Sequence, residues 1–529
     1  MSDSTGSGAM RPVVWSIAGS DSGAGAGVQA DLRAFDTFDV HGCTVIAALT
    51  AQNSVRVERV ESVAVDLLDA QLAALASDLA PRAIKTGLLG SVENVRCVAQ
   101  WLNRLRRDRS VALVIDPVWR ASTGADLSSH ALREALLHDL LPLADVITPN
   151  RAEAAWLLGW NPATLVDDPA EVERAAAALR ALGPRAVVIT GGDAGGRRSL
   201  DWMDTAQAQG WLALPRVDTP HHHGSGCVFA ASVAAALALD FCAADAVVIA
   251  KMSTTQALRQ AVAAGQGAGA VRPQRGFGLH PELLPSLHAD AQATDGPGFA
   301  PLTDRRMGLY AVVDSAQWVE HVLAAGVRTV QLRAKEGTRE HLSQEIARCV
   351  RAARSVGAQL FINDHWQLAI EHGAYGVHLG QEDVVDADLP ALRRAGLRLG
   401  LSTHSYWEVC RAHACVPSYI ACGPIHATTT KDMPWRPQGP GNLAYWCAVL
   451  REPVVAIAGM DAPRSHEAVR CGAAGVAVLR GITQVSDPAR AVQALQAAVA
   501  SGFLALPLAP PELPRSTLSV AARPAESTR

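Results

Sequence analysis

The 529-residue sequence lacks the features of a secreted, membrane-spanning or nucleic-acid-binding protein. Its ten cysteines are scattered and include no Cys-x-x-Cys pair, which predicts reduced thiols and a cytoplasmic location. The longest strongly apolar run, about Val228–Leu239, is shorter than the roughly 20 residues that span a bilayer. The amino terminus has no basic region followed by an apolar core, so we expect no signal peptide.

Charge of one sign is also scarce, because 47 Lys and Arg residues face 51 Asp and Glu residues. A net charge of −4 provides no long-range attraction for nucleic acid. Aromatic residues make up only 5%, but a hydrophobic content of 49% allows a large core and argues against global disorder. We therefore predict folded domains whose partners are small molecules, without nucleic acid or membrane. The oligomeric state stays open, a homo-oligomer included.

The chain divides into two α/β patterns. The first alternates short apolar strands with helices, which predicts a mostly parallel sheet with helices on both faces. The segment between the patterns lacks apolar periodicity, and the last segment is proline-rich. The predicted boundaries are a disordered tail over 1–12, a first domain over 13–285, a linker over 286–306, a second domain over 307–503 and a disordered tail over 504–529.

The second pattern contains eight strand candidates, most of them separated by a helical stretch. Eight βα units in one domain fit a closed (βα)₈ TIM barrel better than an open sheet. The candidates are Gly308–Val313, Thr329–Leu332, Gln359–Ile362, Gly376–Leu379, Leu397–Leu401, Tyr419–Cys422, Val454–Ile457 and Gly475–Leu479.

Two glycine clusters mark a candidate site in the first domain. One follows the strand Val13–Ala18 and alone is equally consistent with a tight turn. The other, His223–Cys227, precedes an alanine-rich helix whose free amides and dipole suit an anion such as a phosphoryl group. Cys227 falls on the first turn of that helix, where we expect a stabilised thiolate. The alternative is a buried structural cysteine, and the consecutive histidines before it are poorly placed to share a metal.

Two further loops follow strands of the first domain. Asn150 and Glu153 place an amide and a carboxylate within one turn, which suits water-mediated Mg²⁺. Thr190–Asp193 is another glycine turn at the end of a strand. Ligands of open α/β sheets bind at the carboxyl ends of strands, so all four loops predict one ligand-binding edge.

The first domain contains seven blocks that resemble bacterial hydroxymethylpyrimidine/phosphomethylpyrimidine kinases of the ribokinase superfamily: AGSDSGAGAGVQADL, HGCTVIAALTAQN, KTGLLGS, DPV, TPNRAEA, TGG and HGSGC. The resemblance implies ATP- and Mg²⁺-dependent phosphorylation of the pyrimidine precursor of thiamine, in two steps. It assigns the pyrimidine to Gly19, Asp31 and Gln52, the catalytic position to Cys227, and phosphate binding to Gly224, Ser225, Gly226, Asn150, Glu153, Thr190 and Gly192. The chain departs from the family at Ala121–Gly124 and Thr190, where relatives often have lysine.

Polar side chains recur after successive strands of the predicted barrel. Gln331, Arg333 and Lys335 alternate along one strand and point to the mouth, where two cations require an anion such as a diphosphate. Asp364 and Asp383 follow the next two strands and suit Mg²⁺ that bridges protein and phosphate oxygens. Ser402–Ser405, Thr428–Lys431 and Gly459 follow the later strands. Any one loop could be an ordinary solvated rim, but five consecutive polar loops favour an active site.

The second domain resembles thiamine phosphate synthase, a (βα)₈ barrel, through VQLRAK, INDHWQLA, GVHLGQED, LSTHS, GPIHATTTK and VAIAGM. The resemblance places Mg²⁺ on Asp364 and Asp383. It assigns the pyrimidine diphosphate to Gln331, Leu332, Arg333, Ala334, Lys335, Asn363, Ser402 and Lys431. It assigns the thiazole phosphate to Thr428, Thr429, Thr430, Lys431, Gly459, Leu479 and Arg480; the family usually has serine at the position of Arg480.

The sequence therefore predicts a transferase that carries two activities of thiamine biosynthesis. Two alternatives stay open at this point. The first domain could phosphorylate another heteroaromatic alcohol, such as a pyridoxine-like vitamer. The barrel could be a non-catalytic module that senses a ligand and regulates the kinase.

Overall fold

The computed structural model describes residues 10–119, 129–192, 194–294, 296–428 and 434–518. These residues divide into two compact units. The first extends to Gly278 and includes Glu282–Ala293; the second continues from Thr294 and includes Leu279–Pro281. Within the described ranges, no helix has the length and apolar character required to cross a membrane.

The first unit contains one ten-stranded sheet. Its strands are β1 (Val13–Asp21), β2 (His41–Gln52), β3 (Val57–Ser62), β4 (Ala83–Thr86), β5 (Ala112–Ile115), β6 (Val146–Ile147), β7 (Val187–Ile189), β8 (Arg198–Asp204), β9 (Gln209–Pro215) and β10 (Ser286–His288). Their order is β10-β9-β8-β7-β6-β5-β4-β1-β2-β3. The six strands from β7 to β2 pair in parallel, and the edge strands pair antiparallel.

Helices cover this sheet because its central strands are apolar on both faces. All three residues of β7, two valines and an isoleucine, are buried, as expected for a parallel strand between helical layers. The helices are α1 (Gly27–Thr37), α2 (Val65–Asp78), α3 (Val92–Leu105), α4 (His130–Ala135), α5 (Arg151–Leu158), α6 (Ala163–Asp167), α7 (Pro169–Arg180), α8 (Ser225–Ala238) and α9 (Ala243–Arg259), with short helical turns at Leu136–Leu140, Leu141–Leu143, Phe277–Leu279 and Pro281–Leu283. The predicted mostly parallel α/β class is confirmed.

The second unit is a closed barrel of eight parallel strands in chain order. They are β11 (Gly308–Val313), β12 (Thr329–Leu332), β13 (Gln359–Asn363), β14 (Gly376–Leu379), β15 (Arg398–Thr403), β16 (Tyr419–Cys422), β17 (Val454–Ile457) and β18 (Gly475–Val478). The helices are α10 (Ala316–Ala324), α11 (Arg339–Ser355), α12 (Trp366–Glu371), α13 (Asp383–Asp386), α14 (Leu389–Arg394), α15 (Tyr406–Cys415), α16 (Gly439–Val449), α17 (Ala462–Arg470), α18 (Arg480–Thr483) and α19 (Pro488–Leu504). The predicted TIM barrel is confirmed.

Two segments differ from the predicted boundaries. β10 lies within the predicted linker, because buried Leu287 allows it to pair with β9 as an edge strand. Residues 505–518 belong to the predicted disordered tail but make specific contacts with the barrel unit. Asn442 Nδ2 donates to the Arg515 carbonyl at 2.8 Å, and Thr517 Oγ1 donates to the His404 carbonyl at 2.7 Å. The tail was predicted to be disordered because it is proline-rich. Composition does not reveal that side chains elsewhere in the chain form hydrogen bonds with its backbone.

Candidate active sites

Asp21, the last residue of β1, joins the two glycine clusters of the first unit. Its Oδ1 accepts from the Gly23 amide at 2.7 Å, and its Oδ2 accepts from the amides of Gly25 and Ala26 at 2.9 and 2.8 Å. The same Oδ2 lies 3.2 Å from His223 Nε2. Burial by itself raises the pKa of Asp21, but these hydrogen bonds lower it to about 2. Asp21 is therefore ionised and holds both loops. It lies within the first sequence motif but was not predicted as a site residue.

Glycine is required where these loops meet. A Cβ on Gly27, whose φ is +59°, would lie 2.2 Å from the Gly19 carbonyl oxygen. A Cβ on Gly224, whose φ is +82°, would lie 2.1 Å from the Gly25 carbonyl oxygen. The structure thus brings the two predicted clusters into direct backbone contact, with Gly224 as the capping residue immediately before α8.

A buried charge cluster lies beneath the loops. Lys85 Nζ contacts both carboxylate oxygens of Asp31 at 3.0 and 3.1 Å, and Asp116 Oδ2 at 3.2 Å. Ser16 Oγ donates to Asp31 at 2.5 Å. Asp31 and Lys85 are completely buried, so the carboxylate that we expected to bind a pyrimidine is already engaged by protein groups. Lys85 and Asp116 were not predicted as site residues, since no local spacing in the sequence indicates that they meet.

Cys227 lies on the first turn of α8, as predicted, and its sulfur is close to this cluster. The structure differs from the expectation of a stabilised thiolate. Burial raises the pKa of Cys227 to about 12; nearby Lys85 opposes that rise, but Asp116 and Asp31 add to it. The thiol is therefore protonated at neutral pH, because the effect of burial outweighs the stabilisation that Lys85 gives to a thiolate.

Gln52 ends β2, and its carbonyl accepts from Ser22 Oγ at 2.7 Å, beside the first glycine loop. Asn150 and Glu153 instead form a capping box at the start of α5. Asn150 Oδ1 accepts from the Glu153 amide and Glu153 Oε2 accepts from the Asn150 amide, both at 2.8 Å. Both residues, which we expected to bind a phosphate or Mg²⁺, thus stabilise the first turn of a helix.

Asn150 also pairs with Thr190, which brings the ends of β6 and β7 together. The glycine turn after Thr190 is held by Arg216, whose Nη1 donates to the Gly192 carbonyl at 2.8 Å. Ser225 and Gly226 begin α8, where backbone amides lack helical partners. Ala121–Gly124, where the chain departs from the kinase family, lie outside the described residues, as does Asp193.

The barrel unit gathers cations and carboxylates at the carboxyl ends of β12, β13 and β14. Asp364 follows β13 with φ of +61°, and Asn363 Nδ2 donates to its carboxylate at 2.5 Å. Burial raises the pKa of Asp364, and nearby Asp383 raises it further, whereas Arg333 and Lys335 lower it. The four predicted charged residues therefore act on one another in the structure, as the order of the strands implies.

Two carboxylates that repel each other beside two cations fit Mg²⁺, which commonly uses one or two protein carboxylates together with substrate phosphates. The described residues include no group of three or more His, Cys, Asp or Glu side chains able to hold a metal.

A second set of predicted ligands lies further around the mouth. Thr428 Oγ1 accepts from Arg480 Nη2 at 3.3 Å, and Leu479 is the capping residue immediately before α18. Gly459, with φ of +69°, packs so closely on the preceding loop that a Cβ would lie 2.7 Å from His426 Cβ. The structure thus brings Thr428, Gly459 and Arg480 into one region. Thr429, Thr430 and Lys431 lie outside the described residues.

Other predicted ligands are held by hydrogen bonds inside the barrel. Gln331 is buried and its Nε2 donates to Tyr310 Oη at 3.0 Å. Ser402 Oγ lies 2.9 Å from His378 Nε2. Leu332 is buried within β12, and the Ala334 carbonyl lies 3.0 Å from His365 Nε2. Tyr310 and His378, which hold these ligands, were not predicted as site residues from the sequence.

The two sites and folds define a transferase with a kinase-like first unit and a barrel second unit. The family model for phosphomethylpyrimidine kinase matches residues 21–272, and that for thiamine monophosphate synthase matches residues 301–482. The thiamine-phosphate synthase of Serratia proteamaculans (strain 568) is 51% identical over 188 residues, which are 35% of this chain and 89% of the relative. That of Neisseria meningitidis serogroup A (strain Z2491) is 50% identical over 38% of this chain and 97% of the relative.

Two solved structures each resemble about half of the chain. The phosphomethylpyrimidine kinase from Clostridium difficile 630 is 30% identical, covers 47% of this chain and 100% of its own, and has a TM-score of 0.41. The pyridoxal kinase from Staphylococcus aureus in complex with ADP is 30% identical, covers 50% of this chain and 94% of its own, and has a TM-score of 0.45.

The chain belongs to the thiamine-phosphate synthase family through its barrel and carries a phosphomethylpyrimidine kinase domain before it. It is a bifunctional enzyme of thiamine biosynthesis, as the sequence predicted.

Proposed function

We propose that the first unit uses ATP and Mg²⁺ to phosphorylate hydroxymethylpyrimidine and then its monophosphate. The barrel joins the resulting diphosphate to the thiazole phosphate, which yields thiamine phosphate and releases diphosphate. The observation that carries this proposal is the grouping of Arg333, Lys335, Asp364 and Asp383 at the barrel mouth. A diphosphate neutralises the two cations, and Mg²⁺ would supply the remaining positive charge beside the carboxylates.

In the condensation, the bond between the pyrimidine methylene carbon and the diphosphate oxygen breaks, and the thiazole nitrogen donates its electron pair to that carbon. Arg333, Lys335 and Ser402 bind the departing diphosphate, while Gln331 and Asn363 orient the pyrimidine. Thr428, Gly459 and the backbone at Leu479–Arg480 hold the thiazole phosphate, together with Thr429, Thr430 and Lys431. The nitrogen is already neutral, so this reaction requires positioning and charge stabilisation rather than a base.

In the kinase reaction, the backbone at Gly224–Gly226 faces the transferred phosphoryl group, and Cys227 lies next to the substrate hydroxyl. Phosphoryl transfer passes through a loose transition state in which the hydroxyl loses its proton late. A thiol with a raised pKa is compatible with that order of events, because little proton transfer is required before the phosphoryl group moves. Gly19, Asp31 and Gln52 line the pyrimidine side, and Asn150, Glu153, Thr190 and Gly192 line the nucleotide side.

Two wider properties belong to the same proposal. All ten cysteines are free, which supports a reducing compartment such as the cytoplasm. The partners are small molecules, and the kinase and the synthase are separable domains joined near residues 294–296.

The test is to incubate the purified chain with the pyrimidine alcohol, ATP, Mg²⁺ and the thiazole phosphate, and to detect thiamine phosphate and diphosphate by mass spectrometry. Omission of the thiazole phosphate should leave the pyrimidine diphosphate as the end product. A parallel reaction with pyridoxine measures the preference of the kinase for its alcohol. A protein that phosphorylates pyridoxine but not the pyrimidine alcohol, or that releases no diphosphate from supplied pyrimidine diphosphate, would contradict the proposal.

A further inference from the structure

A continuous hydrogen-bonded chain of buried side chains crosses the interior of the barrel between two proposed substrate ligands. Gln331 Nε2 donates to Tyr310 Oη at 3.0 Å, and Tyr310 Oη lies 2.8 Å from Tyr419 Oη. Tyr419 Oη lies 2.8 Å from His378 Nδ1, and His378 Nε2 lies 2.9 Å from Ser402 Oγ. The chain connects the strands β12, β11, β16, β14 and β15, which are far apart in sequence.

The interior is built to hold this chain. Tyr310, Tyr419 and His378 are buried, and the His378 ring stacks on the Tyr419 ring with centroids 5.7 Å apart. A Cβ at Gly400 would lie 2.1 Å from Tyr419 Cζ, so only glycine on the neighbouring strand leaves room for the tyrosine ring. Two buried phenols without partners would be costly, so their mutual bond is strongly favoured.

The donor at one end sets the direction of every bond. The Gln331 amide nitrogen can only donate, so Tyr310 oxygen accepts from it and the Tyr310 proton turns toward Tyr419. The Tyr419 proton then turns toward His378 Nδ1. Because Nδ1 accepts this proton, the single proton of the neutral imidazole lies on Nε2. Nε2 therefore donates to Ser402.

The two ends of the chain are left in defined states. The Gln331 Nε2 group donates to Tyr310, so Gln331 Oε1 is the atom available to accept a hydrogen bond. Ser402 oxygen accepts from His378, so its own proton is available to be donated. An aminopyrimidine presents a donor in its exocyclic amino group, and a diphosphate presents acceptor oxygens. The orientations match the two parts of the substrate assigned to these residues.

We propose that Tyr310, Tyr419 and His378 are positioning residues that fix Gln331 as an acceptor for the pyrimidine amino group and Ser402 as a donor to the departing diphosphate. The inference rests on the proposed synthase function, because it uses that substrate. None of the three residues needs to touch the substrate. Each acts by removing the alternative orientation of an amide or a hydroxyl before the substrate arrives.

Tyr419→Phe is the central variant, because it keeps the ring and removes the middle hydroxyl. We expect kcat of the condensation to fall roughly 10-fold, as for lost orientation of catalytic contacts, with KM for the thiazole phosphate unchanged. Tyr445→Phe is the matched control. It also removes a buried hydroxyl from a tyrosine pair, the 2.6 Å bond between Tyr406 and Tyr445, but in the helical layer of the same unit. The kinase rate of the same chain is an internal control for both variants.

The proposal is overturned if Tyr419→Phe and Tyr445→Phe give the same condensation kcat at equal folded fraction, measured by circular dichroism. If Tyr419→Phe does not fold, Tyr310→Phe interrupts the chain one bond earlier and must give the same loss of kcat. A wild-type protein that makes no thiamine phosphate would refute the proposed function instead.

The direction of the chain has its own measurement that needs no turnover. In ¹⁵N-histidine-labelled wild-type protein, the signal absent from His378→Gln should be that of a neutral ring protonated at Nε2. Protonation at Nδ1 would reverse every bond between Gln331 and Ser402, and would overturn the inference even if the protein is an active synthase.

Discussion

At the scale of single residues, Asp364 is the group on which the charge balance of the barrel mouth depends. It is half-buried, and its raised pKa reflects burial first and the adjacent Asp383 second. In the proposed reaction, such a carboxylate would gain a strong partner from Mg²⁺ that binds with the diphosphate. Asp364→Asn keeps the size and the bond from Asn363 but removes the charge, so folding should be retained.

We expect Asp364→Asn to slow the condensation by roughly 10²-fold, because metal-assisted charge stabilisation is worth several kcal/mol. While the condensation is slow, the kinase should accumulate pyrimidine diphosphate, measured by chromatography. High Mg²⁺ should restore part of the rate. Asp386→Asn, an exposed aspartate on α13 close to Asp383, is the matched control and should behave as wild type. A wild-type rate for Asp364→Asn at ordinary Mg²⁺ would show that the metal assignment is wrong.

In the kinase unit, the single residue proposed at the catalytic position is Cys227. Cys227→Ala should lower the phosphorylation rate by roughly 10²-fold, the lower end of the range for a side chain that takes part in proton transfer, because the thiol is protonated before the phosphoryl group moves. The condensation from supplied pyrimidine diphosphate should not change. Cys43→Ala removes a buried thiol from β2 of the same unit and controls for lost packing. Kinase activity of Cys227→Ala equal to that of the control would make Cys227 a structural thiol.

At the scale of elements, Asp21 links β1 to the turn before α1 and, through His223, to the turn before α8. Its folded pKa of about 2 is below the ordinary 3.8. As the pH falls, the unfolded state therefore binds the proton first. The stabilisation from the ionised carboxylate is complete above about pH 4 and is lost as the pH falls through about 2.

Asp21→Asn should accordingly lower the melting temperature of the kinase unit at pH 7, and the difference from wild type should shrink between pH 4 and pH 2.5. Differential scanning calorimetry over this range measures both effects. Asp36→Asn, an exposed position on α1, should show neither. A difference in melting temperature that is independent of pH would mean that the lost bonds matter but the charge does not.

The elements themselves could largely be predicted from sequence, because short apolar runs that alternate with amphipathic helices have few other solutions. The predicted start of β12, β14, β16 and β17 agrees with the structure, and the rim residues follow from counting past each strand. The contacts that could not be predicted are long-range ones. Lys85 meets Asp31 across 54 positions, and Tyr310 meets Tyr419 across 109, and no local pattern specifies which buried polar groups pair.

At the scale of the whole molecule, each unit contains the residues proposed for its own reaction. Segments on either side of residue 295 are tied to different units. Arg198 donates to the carbonyls of Ala291 and Ala293 at 2.7 and 2.6 Å in the first unit. Phe299 donates its amide to the Val416 carbonyl at 3.0 Å and packs under Arg393 in the second.

We therefore expect that the chain can be divided after Thr294 with both activities retained. A fragment that ends there keeps β10 and the Arg198 contacts, and a fragment that begins at Gly296 keeps the Phe299 contact. A cut at 285, where composition places the start of the linker, removes β10 and exposes the edge of β9, so that kinase fragment should be less stable and more prone to aggregate. Kinase and synthase rates of the separate and mixed fragments are the measurement. If well-folded fragments cut after Thr294 are inactive alone and regain activity on mixing, then at least one site is composite and the units are not independent enzymes.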